Sequence, residues 1–203
     1  MSKQKSSTVK IPNDIAKIEV LEIVDCFDSI YVKPKSMLYT QNGVEKRWDI
    51  VDTHDSVAIL LYHSELDAFV FVKQFRPAIY LKNSDGFTYE LCAGIVDKDL
   101  SCEQIAKEEV LEETGYDVPL ERFERVSAFY TAVGFAGGRQ TFFYAVVDDG
   151  MKANAGGGID FEDIEVVYLK RSEAKAFMFD ESIATTSGLM FALMWYFERE
   201  TNQ

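Results

Sequence analysis

The stretch "GIVDKDLSCEQIAKEEVLEETGY", residues 94–116, carries seven acidic side chains, and Glu108, Glu109, Glu112 and Glu113 crowd together just before a glycine. Ser101 followed three residues later by Gln104 is the signature of a capping box, and Gly115 suits the left-handed residue just past a helix end. The pattern predicts a helix over residues 102–114. At about 100° per residue, Glu109 and Glu113 fall about 40° apart, with Glu112 about 60° from Glu109 on the same side. Cys102, Ile105 and Ala106 share that stripe, so the acids do not simply oppose the apolar face. Partly buried carboxylates repel one another unless a cation neutralises them, and a hard divalent ion with oxygen ligands, Mg²⁺ or failing that Mn²⁺, resolves the conflict. The plain alternative is a solvated face whose glutamates add solubility.

Outward from this helix, the flanking segments read as strands. "SVAILLYH" and "AFVFVKQF" form a hairpin that begins the core, and "YELCAG" leads into the helix. "RFERVSAFYTAV", "RQTFFYAVV" and "IEVVYLKR" follow it. Two helices close the chain, Ser172 to about Phe179 and Glu181 to Arg199, the second with an apolar face from Leu189, Met190, Leu193 and Tyr196. Strands interrupted by one central helix and closed by terminal helices predict an α/β fold, a mixed sheet covered on both faces. Before it, "IAKIEVLEIVDCF", "SIYVKPKSMLYT" and "VEKRWDIVD" read as three strands, the last two joined through Gln41, Asn42 and Gly43. Three units result: a polar, basic segment 1–13, a small antiparallel β subdomain 14–53, and the main domain 54–203. The subdomain is too thin to bury itself, so it must pack on the main domain or on another copy of the chain.

With 203 residues, 47% of them apolar, the chain can bury one substantial core. A net charge of −13 repels nucleic acid and anionic membranes. Three cysteines, Cys26, Cys92 and Cys102, offer neither a disulfide framework nor a zinc-knuckle spacing and read as reduced thiols of a cytoplasmic protein. The longest apolar run, near "LMFALMWYF", is too short to span a bilayer. His54 and His63 lack metal-spaced partners and read as hydrogen-bonded structural residues.

Gly94, Glu109, Val110, Glu112, Glu113, Gly115 and Tyr116 stand in the register of G, five residues, E, seven residues, R-E-U-x-E-E-x-G-U, with U apolar. This resembles the Nudix box, with two departures: Leu100 stands at the first consensus Glu and Glu108 at the Arg. Lys107 does not replace that Arg directly, being rotated about 100° from it. The resemblance spans roughly residues 35 to 200 and includes "VKQFRPAIY", "YELCAGIVD", "VGFAGGRQTFFY" and "GGGIDFEDIEVVYL". It is closest to the nucleoside-diphosphate-sugar branch, in particular enzymes that cleave UDP-sugars. ADP-ribose pyrophosphatases share Arg76, Glu90, Ala93 and Gly94 but carry a proline-containing loop where this chain has "AVGFAGGRQ".

The resemblance implies a Nudix-type α/β/α sandwich and Mg²⁺-dependent hydrolysis of the pyrophosphate of a nucleoside diphosphate sugar such as UDP-glucose, with ADP-ribose as the alternative substrate. A catalytically weak sugar-nucleotide binding module is the alternative of a different class, motivated by Leu100 and Glu108. Glu109, Glu113 and Glu112 would hold the metal, with the carbonyl of Ala93. A late-loop carboxylate would act as general base, Glu162 first and Asp160 next. Arg76 would hold phosphate oxygens or pair with Glu90, and Arg139 is a second phosphate or sugar contact or an ordinary exposed arginine. Trp48 would stack on a nucleobase or pack the small sheet to the core. Gly156, Gly157 and Gly158 permit a loop to close over substrate or form a plain flexible connection. Family members also use the N-terminal segment to form a homodimer, which the unburied subdomain gives a separate reason to expect.

Overall fold

Alternation sorts the central strands into two faces. In a computed structural model, which describes residues 18–29, 32–159 and 162–201, β3 (Ser56–His63) runs through the middle of a seven-stranded mixed sheet. β3 and β4 (Ala68–Phe75) are buried on both sides, as their near-continuous apolar runs require. Ala58, Leu60, Phe69 and Phe71 face one way, onto the two C-terminal helices, α3 (Arg171–Met178) and α4 (Ser187–Thr201). Val57, Ile59, Leu61 and Val70 face the other way, onto Ile105, Ala106 and Val110 of the acidic helix. The result is the expected three-layer α/β arrangement.

The first half of β3 pairs antiparallel with β6 (Cys92–Ile95), and its last residues pair with β4. β8 (Arg139–Val147) runs parallel to β3 along its full length, with β7 (Glu124–Tyr130) outside it. β4 also carries β5 (Phe87–Glu90) and β9 (Ile164–Lys170). This divergence of β3 and β4 lets β6 deliver Ala93 and Gly94 directly beneath the acidic helix.

That helix begins as predicted. The Ser101 hydroxyl accepts from the Gln104 amide at 3.2 Å, and the Gln104 side chain accepts from the Ser101 amide at 2.9 Å. α2 covers Cys102–Glu109 and continues as a π-helical turn, Val110–Thr114, ending on left-handed Gly115 (φ 74°). The sequence pattern carried no sign of the change of pitch. π-turns concentrate at functional sites, and this one lies within the acidic cluster.

Two expectations need correction. Residues 18–27 form no strand and are exposed; residues 15–17 of that expected strand lie outside the described residues. Apolar content alone cannot make a strand without a ladder partner, and none is present for this segment among the described residues. α4 starts at Ser187, not Glu181, because Tyr89 of β5 draws residues 184–185 into extended pairing, its amide donating to the Ala184 carbonyl at 2.9 Å. A short helix, α1 (Pro77–Asn83), was not anticipated, although Pro77 at its first turn is a helix-start residue. The hairpin β1 (Lys33–Gln41) and β2 (Val44–Asp52) does turn through Asn42 and Gly43, both left-handed. It is exposed on both faces and touches the main body through the Trp48 indole N–H on the Gly134 carbonyl and the Val51 amide on the Phe135 carbonyl, both 2.7 Å.

Candidate active site

Glu113 is the most buried acid of the cluster, with 5% of its surface exposed, and its Oε2 accepts from the Ala93 amide at 3.1 Å. Burial pushes its carboxyl up to about 8, reinforced by the charges of Glu109 and Glu162 and opposed by hydrogen bonds from the Cys92 thiol and the Ala93 amide. Glu109 lies over Gly94, so closely that a methyl group there would meet its carboxylate at 2.0 Å. Burial raises Glu109 to about 7, and Glu112 adds to the shift. The Cys92 thiol is pushed well up by burial and by the same acids. One helix face and one strand edge therefore hold two carboxylates that resist carrying charge without a cation.

The expected convergence is incomplete. Glu109, Glu112 and Glu113 do not bring ligand oxygens within 4.8 Å of one another, the spacing that only His63, Glu65 and Asp149 reach among the described residues. Glu113 turns inward to Ala93 and Glu109 sits above Gly94, an arrangement that keeps like charges apart. The donor set is nevertheless all oxygen, and its burial penalty is the one a hard cation relieves, so the residues fit Mg²⁺ or Mn²⁺.

The grouping of His63, Glu65 and Asp149 is chemically different. His63 is fully buried and its Nδ1 accepts from the Leu66 amide at 3.3 Å. Its Nε2 lies 3.2 Å from Asp149 Oδ1. Its Nδ1 bond to the backbone is that of a structural histidine, while Nε2 makes no hydrogen bond among the described residues.

Arg76, the residue before α1, forms a two-pronged ion pair with Glu90, Nε to Oε1 at 2.9 Å and Nη2 to Oε2 at 2.8 Å. The Thr88 hydroxyl also donates to Glu90 Oε1, at 2.5 Å. Both readings of Arg76 are compatible, because Nη1 has no partner among the described residues and the guanidinium feels the charges of Glu113 and Glu162. Glu162 is exposed, and its Oε2 accepts from the Ile159 amide at 3.1 Å. Asp160 lies outside the described residues. Arg139 is exposed, with its amide donating to Asp55 Oδ1 at 2.9 Å and its guanidinium unpaired among the described residues. Trp48 is 55% exposed, its indole N–H committed to Gly134.

Sequence reasoning missed two parts of the site. Lys98, in the loop before α2, reaches Glu108 Oε2 at 2.7 Å and lowers the proton affinity of Glu109 through its charge. Thus Glu108, standing where the box has arginine, is itself bridged by a lysine, while Lys107 pairs with Asp117 at 2.9 Å. The second is the glycine run 156–158. It is docked on the acidic helix: the Gly157 amide donates to the Glu113 carbonyl at 2.9 Å and the Gly158 amide to the Glu112 carbonyl at 3.1 Å. The run of glycines was visible in the sequence, but its docking partner was not.

No family model matches the chain. It is 38% identical to the uridine diphosphate glucose pyrophosphatase NUDT14 of Bos taurus, over 89% of this chain and 95% of that one, and 37% identical to its counterpart in Mus musculus, over 90% and 96%. It is also 37% identical to the GDP-mannose pyrophosphatase of Pectobacterium atrosepticum, over 75% of this chain and 79% of that one. Full-length similarity of this degree, joined to an acidic helix in box register over a Gly94 that Glu109 leaves no room to enlarge, makes the chain a member of the Nudix family of hydrolases.

Proposed function

We propose that the protein hydrolyses the pyrophosphate of a nucleoside diphosphate sugar, UDP-glucose in the first instance, to a nucleoside monophosphate and a sugar 1-phosphate, using Mg²⁺. The observation that carries this reading is the pair Glu109, half-buried, and Glu113, buried, raised to about 7 and about 8 in the field of Glu162, with Arg76 beside Glu113. The bovine and murine relatives, by their names, act on UDP-glucose and match this chain over a larger share than the GDP-mannose pyrophosphatases do.

In this reading Glu109, Glu113 and Glu112, with the Ala93 carbonyl, hold the metal. When bound, the cation neutralises phosphate charge and lowers the pKa of a water. Glu162 takes the proton of the attacking water, with Asp160 as the other choice. Arg76, steadied by Glu90, presents its free Nη1 to a phosphate oxygen, and Arg139 presents an unpaired guanidinium to the second phosphate or the sugar. The exposed face of Trp48 offers a stacking surface for the base.

Product analysis with UDP-glucose, GDP-mannose and ADP-ribose, each with Mg²⁺, tests the reading. Release of UMP and glucose 1-phosphate fastest of the three, with Glu113→Gln slower by more than about 100-fold, is expected. Preference for another substrate moves the specificity and keeps the chemistry, whereas full activity in Glu113→Gln removes the mechanism.

A further inference from the structure

The C-terminal end of the acidic helix should leave carbonyls unsatisfied. Instead, each is met, and almost every donor comes from one later segment. Besides the Gly157 and Gly158 amides on Glu113 and Glu112, Lys152 Nζ donates to the Thr114 carbonyl at 2.7 Å, and the Ala153 amide donates to the Gly115 carbonyl at 2.8 Å. Contact is too close for side chains. A Cβ on Gly156 would stand 2.5 Å from the Glu113 carbonyl oxygen, and one on Gly115 would stand 2.2 Å from the Asn154 carbonyl oxygen. Gly156, Gly157 and Gly158 all have positive φ, of 74°, 110° and 86°, which three consecutive residues with side chains would not tolerate. Gly158 in turn packs on Glu162, where a Cβ would meet the Glu162 Cβ at 2.6 Å, and the Glu162 carboxylate closes the loop by accepting from the Ile159 amide.

We propose that the glycine run 156–158 is a positioning clamp: it locks the segment bearing Glu162 to the backbone of Glu112 and Glu113, so the general base is held in register with the metal-binding acids. This rests on the functional reading above. Two of the three residues whose side chains would hold the metal, Glu112 and Glu113, are the two whose carbonyls hold the loop, so a single rigid unit sets the distance between cation and base. A loop that closed like a lid would have to break both hydrogen bonds at each turnover; the clamp does not.

Two measurements test it. Hydrogen exchange of the Gly157 and Gly158 amides in the substrate-free protein is expected to be as slow as that of the last turn of the acidic helix; exchange at the rate of an open loop overturns the clamp. The second uses Gly156→Ala, which forces the loop off the Glu113 carbonyl, and Asn154→Ala, which removes only the side-chain oxygen that accepts from the Gly156 amide at 2.7 Å. Each is expected to lower kcat by about 10- to 100-fold, as small misplacements of a catalytic group do, with KM and the Mn²⁺ dissociation constant within about twofold of the parent. If Gly156→Ala does not fold, Asn154→Ala decides. Unchanged kcat in the folded variants, or a loss of Mn²⁺ affinity matching the loss of kcat, overturns the proposal. Full activity in Glu113→Gln would sink the functional reading while leaving amide protection intact, so the two failures are distinguishable.

Discussion

At the scale of single residues, the site is built on a conflict between burial and charge. Glu109 and Glu113 are raised to about 7 and about 8 from 4.5, chiefly by burial. In the metal-free protein the folded state therefore holds protons that the unfolded chain has released. Their contribution to stability is fully present below about pH 4.5 and is lost as pH rises toward about 8. Other carboxylates add the usual acid-limb loss, so the comparison is with Glu113→Gln: between pH 6 and 8 the metal-free parent is expected to lose Tm with rising pH more steeply than the variant. Mg²⁺ should restore the parent's Tm at pH 8 and release protons on binding, which calorimetry in buffers of different ionisation enthalpy would detect. A flat difference between parent and variant across that range would contradict the burial account. Gly94→Ala gives a sharper test. The three heavy atoms nearest the added methyl all belong to the Glu109 side chain, Oε1, Cδ and Cγ, so the fold should survive with Tm within a few degrees while kcat falls by more than about tenfold through displacement of Glu109. Wild-type kcat in this variant would mean that Glu109 has no fixed role.

At the scale of elements, what was legible in the sequence is what depends on neighbouring residues. The Ser101–Gln104 capping box, the left-handed Gly115 and the Asn42–Gly43 turn are local chemistry, and all form as read. β3, β4 and β8 are buried runs long enough to identify themselves. The start of α4 was misread because Ala184 and Thr185 answer to Tyr89, nearly a hundred residues earlier, and no local signal reports that pairing. The same holds for Lys98 beside Glu108 and for the glycine run beneath Glu113: the residue types were in view, and the long-range partner was not. That Glu109 and Glu113 share one helix face was readable because helical spacing is arithmetic, whereas their separation reflects the inward bond to Ala93. Capping also supplies an element-scale prediction. Ser101→Ala removes the acceptor for the Gln104 amide and should cost about 1 kcal/mol in denaturant unfolding. Because the far end of the helix is held independently by residues 152–158, kcat should stay within about twofold; a loss as large as that of Gly94→Ala would show that the helix start also sets the acids.

At the scale of the whole molecule, the apolar surface is in the wrong place for a lone chain. Leu21 and Phe27 are 89% and 92% exposed, Leu38 of β1 is 76% exposed, and Met37 and Val44 lie on the same hairpin. A two-stranded hairpin is marginal by itself, and this one meets the main body at few points. Residues 18–27 are rich in apolar side chains, with Ile18, Val20, Leu21, Ile23, Val24 and Phe27 all exposed, yet have no ladder partner among the described residues. A second copy of the chain supplies both missing things, a strand partner and an apolar surface, and we propose a homodimer built on residues 18–52. Each chain carries a net charge of −13, so association must overcome like-charge repulsion. That fixes the sign of the salt effect: dimerisation should strengthen as ionic strength rises, the reverse of a charge-paired interface. Sedimentation equilibrium at micromolar concentration should give twice the chain mass of 23.1 kDa, with Leu21→Asp and Leu38→Asp together shifting it toward the single chain. A single-chain mass for the parent at both low and high salt would leave these apolar residues without an explanation in self-association, and weakening with salt would place the contact on charged surface elsewhere.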